Sequence, residues 1–117
     1  MKLYTGYFAR HARRSPLVFS IGGKPWWISL PRIRELEPST ELLSDYKSGR
    51  IGWNEYVPRY VAQLERLGIE RIESLLQEGM ILCCWEAPGK PCHRHLLAEW
   101  LRVRGHDVEE LDARSPS

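Results

Sequence analysis

The chain has 117 residues, enough to enclose one hydrophobic core, so a single domain is expected over residues 1–111 with a polar tail at 112–117. Its residues are 43% hydrophobic and 27% charged, a globular balance, and no apolar run approaches the length a membrane span needs. A formal net charge of +2 is too small to imply nucleic-acid binding by itself.

Three cysteines, two of them adjacent, do not make the paired framework of a small secreted domain. Met1 to Tyr7 carries no continuous apolar segment of signal-peptide type. A reduced, cytoplasmic setting with no membrane partner is therefore the expectation. Two basic clusters stand out, Arg10 to Arg14 and Lys90 to His95.

Lys2 to Ala9 is rich in β-favouring and aromatic residues and reads as a first strand, with Gly6 marking a bulge or a close backbone approach. Arg10 to Pro16 reads as a connecting loop, and Leu17 to Ile21 as a second strand ended by Gly22-Gly23. Prolines at 25, 31 and 38 break the following stretch into an irregular loop bearing Trp26 and Trp27. Ser39 or Thr40 can cap a short helix carrying Leu42, Leu43 and Tyr46, closed by Gly49.

Asn54 offers a second cap, and Tyr56, Tyr60, Leu64 and Leu67 recur at helical intervals up to Gly68, which puts Pro58 in the first turn. Ile69 to Glu78 continues as a third helix. Met80 to Trp85 is a continuous apolar run between Gly79 and the Pro88-Gly89 turn, the pattern of a strand buried on both faces. A helix from about Cys92 turns Leu96, Leu97, Trp100, Leu101 and Val103 inward, and His106 to Leu111 reads as a last strand. Strand, crossover helix and strand make a parallel βαβ unit. The expected fold is α/β: an open, mostly parallel sheet with helices on both faces, a Rossmann-like three-layer arrangement.

In such sheets ligands lie beyond the carboxyl ends of the strands, and the loop after Trp85 is at one of these ends. The helix that follows offers unpaired N–H groups and a positive dipole end, to which Lys90 and Arg94 add charge. A phosphate-bearing ligand, a nucleotide among the candidates, suits that turn between Glu86 and Arg94. Tyr7 and Trp27 are the aromatic candidates for the same ligand.

Cys92, at or beside the helix cap, is the candidate nucleophile, with Glu86 and His93 as candidate proton-transfer groups. Against this, a cysteine here is equally a small packing residue, and Glu86 an ion-pair partner of Lys90 or Arg94. His93 and His95, two apart on a helix, point about 200° away from each other and cannot both enter one site. Cys83 and Cys84 alternate across the sheet, so at most one can join Cys92 and a histidine. With no paired ligand spacing of the usual zinc type, no metal is assigned, and the residues identify no cofactor. A second reading is a nucleic-acid accessory protein using Arg10 to Arg14 with Trp26 and Trp27, and a third is a non-catalytic interaction module.

Cys84-Trp-Glu86, Pro88, Cys92-His-Arg94 and Leu96-Leu-Ala98 together resemble the signature of the domain of unknown function 488 family, in which C-x-E precedes a short loop and C-H-R opens a helix continuing L-L-A. Tyr4-Thr-Gly-Tyr-Phe8, Ser20-Ile21 and the helix around Tyr56 and Tyr60 resemble a short subgroup of it. The resemblance implies a compact α/β fold with Glu86, Cys92, His93 and Arg94 at the site, and it implies no particular activity. Trp27 and the Arg10 to Arg14 segment depart from the family pattern.

Overall fold

A computed structural model describes residues 1–86 and 90–112; the Pro88-Gly89 turn and the tail from residue 113 lie outside the described residues. Four strands, β1 (Lys2–Tyr7), β2 (Val18–Ser20), β3 (Ile81–Cys84) and β4 (Asp107–Glu110), form one sheet in the order β2-β3-β1-β4. Every pairing is parallel, so all carboxyl ends share one edge. Among the described residues the α-helices are α1 (Phe8–His11), α2 (Thr40–Lys47), α3 (Trp53–Leu67), α4 (Ile69–Ser74) and α5 (His93–Val103), with a 3-10 turn at Arg34–Leu36.

All four residues of β3 are buried, as its unbroken apolar run requires. Its side chains alternate between two cores. Leu82 and Cys84 join the larger one with Tyr56, Tyr60, Leu64, Ile72, Leu97 and Leu101, contributed by α3, α4 and α5. Ile81 and Cys83 join a smaller one with Phe8, Ala12 and Val18, covered by α1 and partly by Trp27, Ile28 and Leu30. The sheet thus has helices on both faces, but unequally: the second face carries a single helical turn and an irregular segment.

The connection from β1 to β2 crosses the sheet in one direction, and those from β2 to β3 and from β3 to β4 cross in the other. Connections of one hand that run in opposite directions must pass over opposite faces. They do: α1 packs on the smaller core and α2 to α5 on the larger. β1 and β3 are neighbours whose following segments leave towards opposite faces, the topological switch point of the sheet.

Local signals mostly hold, with identifiable exceptions. Ser39 caps α2, its hydroxyl accepting from the Leu42 N–H at 3.1 Å. The first strand stops at Tyr7 rather than Ala9, because Phe8 turns into α1. α3 begins before Asn54, with Gly52 at its cap, so Pro58 lies beyond the first turn. α4 ends at Ser74. Val103, at the end of α5, is 73% exposed instead of inward. No helix of the described residues is long and apolar enough to cross a membrane.

Candidate functional site

Beyond the carboxyl ends of β2 and β3 lies a cavity of about 640 Å³. Cys84, Trp85 and Glu86 reach it from the end of β3, and Pro91, Cys92 and His93 from the start of α5. Tyr46, Trp53 and Tyr56 supply an aromatic wall. Trp53 and Tyr56, three residues apart on α3, stack with centroids 4.9 Å apart and planes 15° apart. Tyr56 stacks in turn on Tyr60, and Tyr60 meets the His93 ring edge-on at 5.4 Å, so an aromatic file runs from the wall to the imidazole. Burial pushes the Tyr56 phenol up, which keeps it a neutral hydrogen-bonding group.

Two glycines permit the close packing around this edge. A Cβ on Gly22 would stand 2.8 Å from Cys84 Cβ, so only glycine lets the turn after β2 lie against the end of β3. Trp85 Nε1 donates to the Gly22 carbonyl at 2.8 Å across the same contact. A Cβ on Gly6 would stand 2.6 Å from His11 Nδ1, the close approach that a glycine inside β1 implies.

The Cys84 and Cys92 sulfurs face each other at disulfide-bonding distance, on Cα atoms 7.7 Å apart. Both residues are buried. His93 Nδ1 is 3.8 Å from Cys92 Sγ, and His93 Nε2 contacts the Ile21 carbonyl oxygen. A carbonyl only accepts, so Nε2 carries the proton and Nδ1 presents a lone pair to the sulfur. Burial is the main reason the His93 pKa falls to about 4, helped by the nearby Arg94 charge and partly opposed by the Ile21 hydrogen bond. His93 is therefore neutral at physiological pH, with its Nδ1 lone pair facing the Cys92 sulfur.

Arg94 is fully buried, and its donors are engaged. Nε and Nη2 grip the Glu110 carboxylate, the latter at 2.7 Å, while Nη1 donates to Cys84 Sγ at 2.9 Å and to the Glu86 carbonyl. The Thr5 hydroxyl also donates to Glu110. Burial raises the Glu110 pKa, but the hydrogen bonds from Arg94 and Thr5 outweigh it and hold the carboxyl below its ordinary value. The guanidinium thus supports Cys84 from behind rather than lining the cavity.

The other expected residues are distributed more widely. Glu86 lines the cavity, with Oε2 3.9 Å from Cys84 Sγ. Lys90 is exposed, next to the cavity-lining Pro91. Tyr7 packs edge-on against His11, and Trp27 lies under Arg13 with the guanidinium 5.3 Å from its ring; neither lines the cavity. His95 turns away from His93, half-buried, and burial lowers its pKa. Trp100 is core, but Trp85 is 47% exposed, its ring edge-on to Phe8 at 5.0 Å. Cys83, on the opposite sheet face from Cys84, is a buried free thiol whose pKa burial pushes up to about 12.

Sequence reasoning missed Glu110, Thr5 and the aromatic wall. The wall left a signal, since Trp53, Tyr56 and Tyr60 share one helical face. Glu110 left none, because its partner depends on which strands are neighbours. It also missed a second buried histidine: His11 accepts from the Tyr7 N–H through Nδ1 at 3.1 Å and donates through Nε2 to Asp112 at 2.7 Å. That contact holds the Asp112 carboxyl below its ordinary value, and Arg10 and Arg14 gather on the same carboxylate.

The parallel sheet and this cavity define an α/β protein whose candidate site joins a cysteine pair to a neutral histidine. The family model DUF488-N3a, described as the active DUF488-N3 subclade, matches residues 24–105, and the chain belongs to the domain of unknown function 488 family. The matched range contains Cys84 to Glu86 and Cys92 to Arg94, whereas the likeness at Tyr4 to Phe8 and Ser20-Ile21 lies outside it. No curated protein and no solved structure gives a match to the chain.

Proposed function

We propose that the protein binds a phosphate-bearing ligand of nucleotide type in the cavity between α3 and the start of α5, with Cys92 and His93 as its reactive pair. One observation carries this reading: the first turn of α5, with no side chain capping it, and the stacked Trp53–Tyr56 pair line the same cavity. Uncapped N–H groups and the positive helix end attract phosphate, and an aromatic face stacks a planar base. Lys47 adds a cation to the lining. Arg94 serves the anion indirectly, by fixing the end of β3 and the start of α5 relative to each other. In the dithiol form, the Cys92 thiol would stand beside the ligand as the nucleophile, hydrogen-bonded to the His93 Nδ1 lone pair. A reducing compartment, the cytoplasm, keeps such thiols available.

The test is calorimetric titration of the reduced protein with nucleoside mono- and diphosphates, nucleosides and inorganic phosphate. Nucleotides should bind more tightly than either part alone, and Trp53→Ala should weaken the nucleotides while sparing inorganic phosphate. Absence of heat and of any thermal stabilisation across the panel would sink the reading.

A second reading, nucleic-acid binding, is favoured by one surface feature: Trp26 is 88% exposed beside Trp27, over which Arg13 lies. Bases stack on such rings, and phosphate contacts give steep salt dependence. Single-stranded DNA or RNA that fails to bind at low salt removes this reading.

A further inference from the structure

Three metal-type donors meet at the inner end of the cavity. Cys84 Sγ, Cys92 Sγ and His93 Nδ1 all lie within 4.8 Å of one another, and all three residues are buried. The spacing in sequence does not resemble a paired zinc motif. The end of a strand and the start of a helix create the grouping, because Cys84 is the β3 cysteine that faces α5.

Three features of the surroundings point to a cation. His93 Nε2–H is committed to the Ile21 carbonyl, which orients the ring and leaves the Nδ1 lone pair facing the sulfurs. Metal-bound imidazoles are oriented in this way by an outer carbonyl or carboxylate. Arg94 Nη1 donates to Cys84 Sγ at 2.9 Å, a charge-assisted contact that favours a thiolate there. Glu86 Oε2 lies 3.9 Å from the same sulfur, within reach of a fourth ligand position.

We propose that reduced Cys84 and Cys92, together with His93 Nδ1, hold a thiolate-preferring divalent cation of the zinc class, with the fourth position open to the cavity for Glu86 or water. Binding releases the two thiol protons to solvent, so two thiolates neutralise the ion. Where the pair is oxidised, a dithiol reductant supplies two electrons and two protons and becomes a disulfide itself. Three protein ligands with one open position is the arrangement of a catalytic rather than a closed structural site. The site does not rest on the nucleotide reading, because metal binding is measured without any nucleotide.

The experiment uses the full chain, reduced with a phosphine, desalted without oxygen and titrated with cobalt(II) and zinc(II) alone. One metal per chain is expected, with thiolate-to-cobalt charge-transfer absorption and tetrahedral visible bands that zinc abolishes. Cys84→Ser and Cys92→Ser should each lose more affinity than the roughly 10- to 100-fold that removal of an outer-shell partner costs. Cys83→Ser, on the other sheet face, should bind as wild type. Circular dichroism of each variant separates loss of ligand from loss of fold, and the wild-type cobalt spectrum stands without any variant. Substoichiometric binding by folded, fully reduced protein overturns the proposal. So does a cobalt spectrum that survives Cys92→Ser, or a Cys84–Cys92 disulfide that forms in preference to the metal complex under excess zinc.

Discussion

Arg94 at the start of α5 and Glu110 at the end of β4 form a buried fork, with Nη2 2.7 Å from Oε2 and Nε 3.1 Å from Oε1. Thr5 on β1 completes the carboxylate, and Cys84 on β3 takes the remaining guanidinium edge. Arg94 therefore ties β4 and β3 directly, and β1 through Glu110, to the helix that Cys92 precedes. Removing one partner of a buried ion pair strands the other charge, which costs about 3–5 kcal/mol. Arg94→Met should destabilise by that order in urea unfolding. Arg94→Lys should recover only part of it, since an ammonium cannot fork. The double variant Arg94→Met/Glu110→Leu should recover most of the stability. Equal losses in the single and double variants would show that the pair itself is not the cause.

The same pair sets an acid limit. The Glu110 carboxyl is held below its ordinary value in the folded protein, so its contribution is complete above the unfolded value and is lost as pH falls through the lower folded one. Stability from urea midpoints should therefore decline below about pH 5. Glu110→Gln should start lower and lack this part of the decline. A variant with an acid profile parallel to wild type would contradict the assignment.

Both close glycine contacts should resist enlargement. Alanine at position 6 pushes its Cβ into the His11 ring, and alanine at position 22 pushes it into Cys84 Cβ. Overpacking of this kind costs about 1–3 kcal/mol. Gly6→Ala should also weaken the Tyr7 N–H contact to His11, read as faster hydrogen exchange at Tyr7. Gly22→Ala should instead alter the reactivity of the cysteine pair. Wild-type stability in both variants would refute the packing argument.

The three cysteines should separate by reactivity after reduction. Cys83 is fully buried with its pKa pushed up to about 12, whereas Cys92 borders the cavity beside a neutral imidazole. Thiolate fraction and access govern alkylation. Mass spectrometry after brief iodoacetamide treatment at neutral pH should find the label on Cys92 and none on Cys83. Preferential labelling of Cys83 would show that the burial argument fails.

Much of this organisation was legible in the chain itself. Alternation along a strand is local, so Cys83 and Cys84 were bound to face opposite sheet sides, and the Ser39 cap and the aromatic face of α3 were visible for the same reason. The strand, loop and C-H-R helix located the candidate site, and the apolar run at Ile81 to Cys84 required a strand covered on both faces. Local pattern could not decide what Arg94 would meet. It read as an anion ligand, but the order β2-β3-β1-β4 brings Glu110, Thr5 and Cys84 around it. The exposure of Trp85 and Val103 and the start of α3 at Trp53 were also set by packing rather than by periodicity. Sequence determined which residues each element presents; strand order and helix packing alone decided which of them meet, because those contacts join segments far apart along the chain.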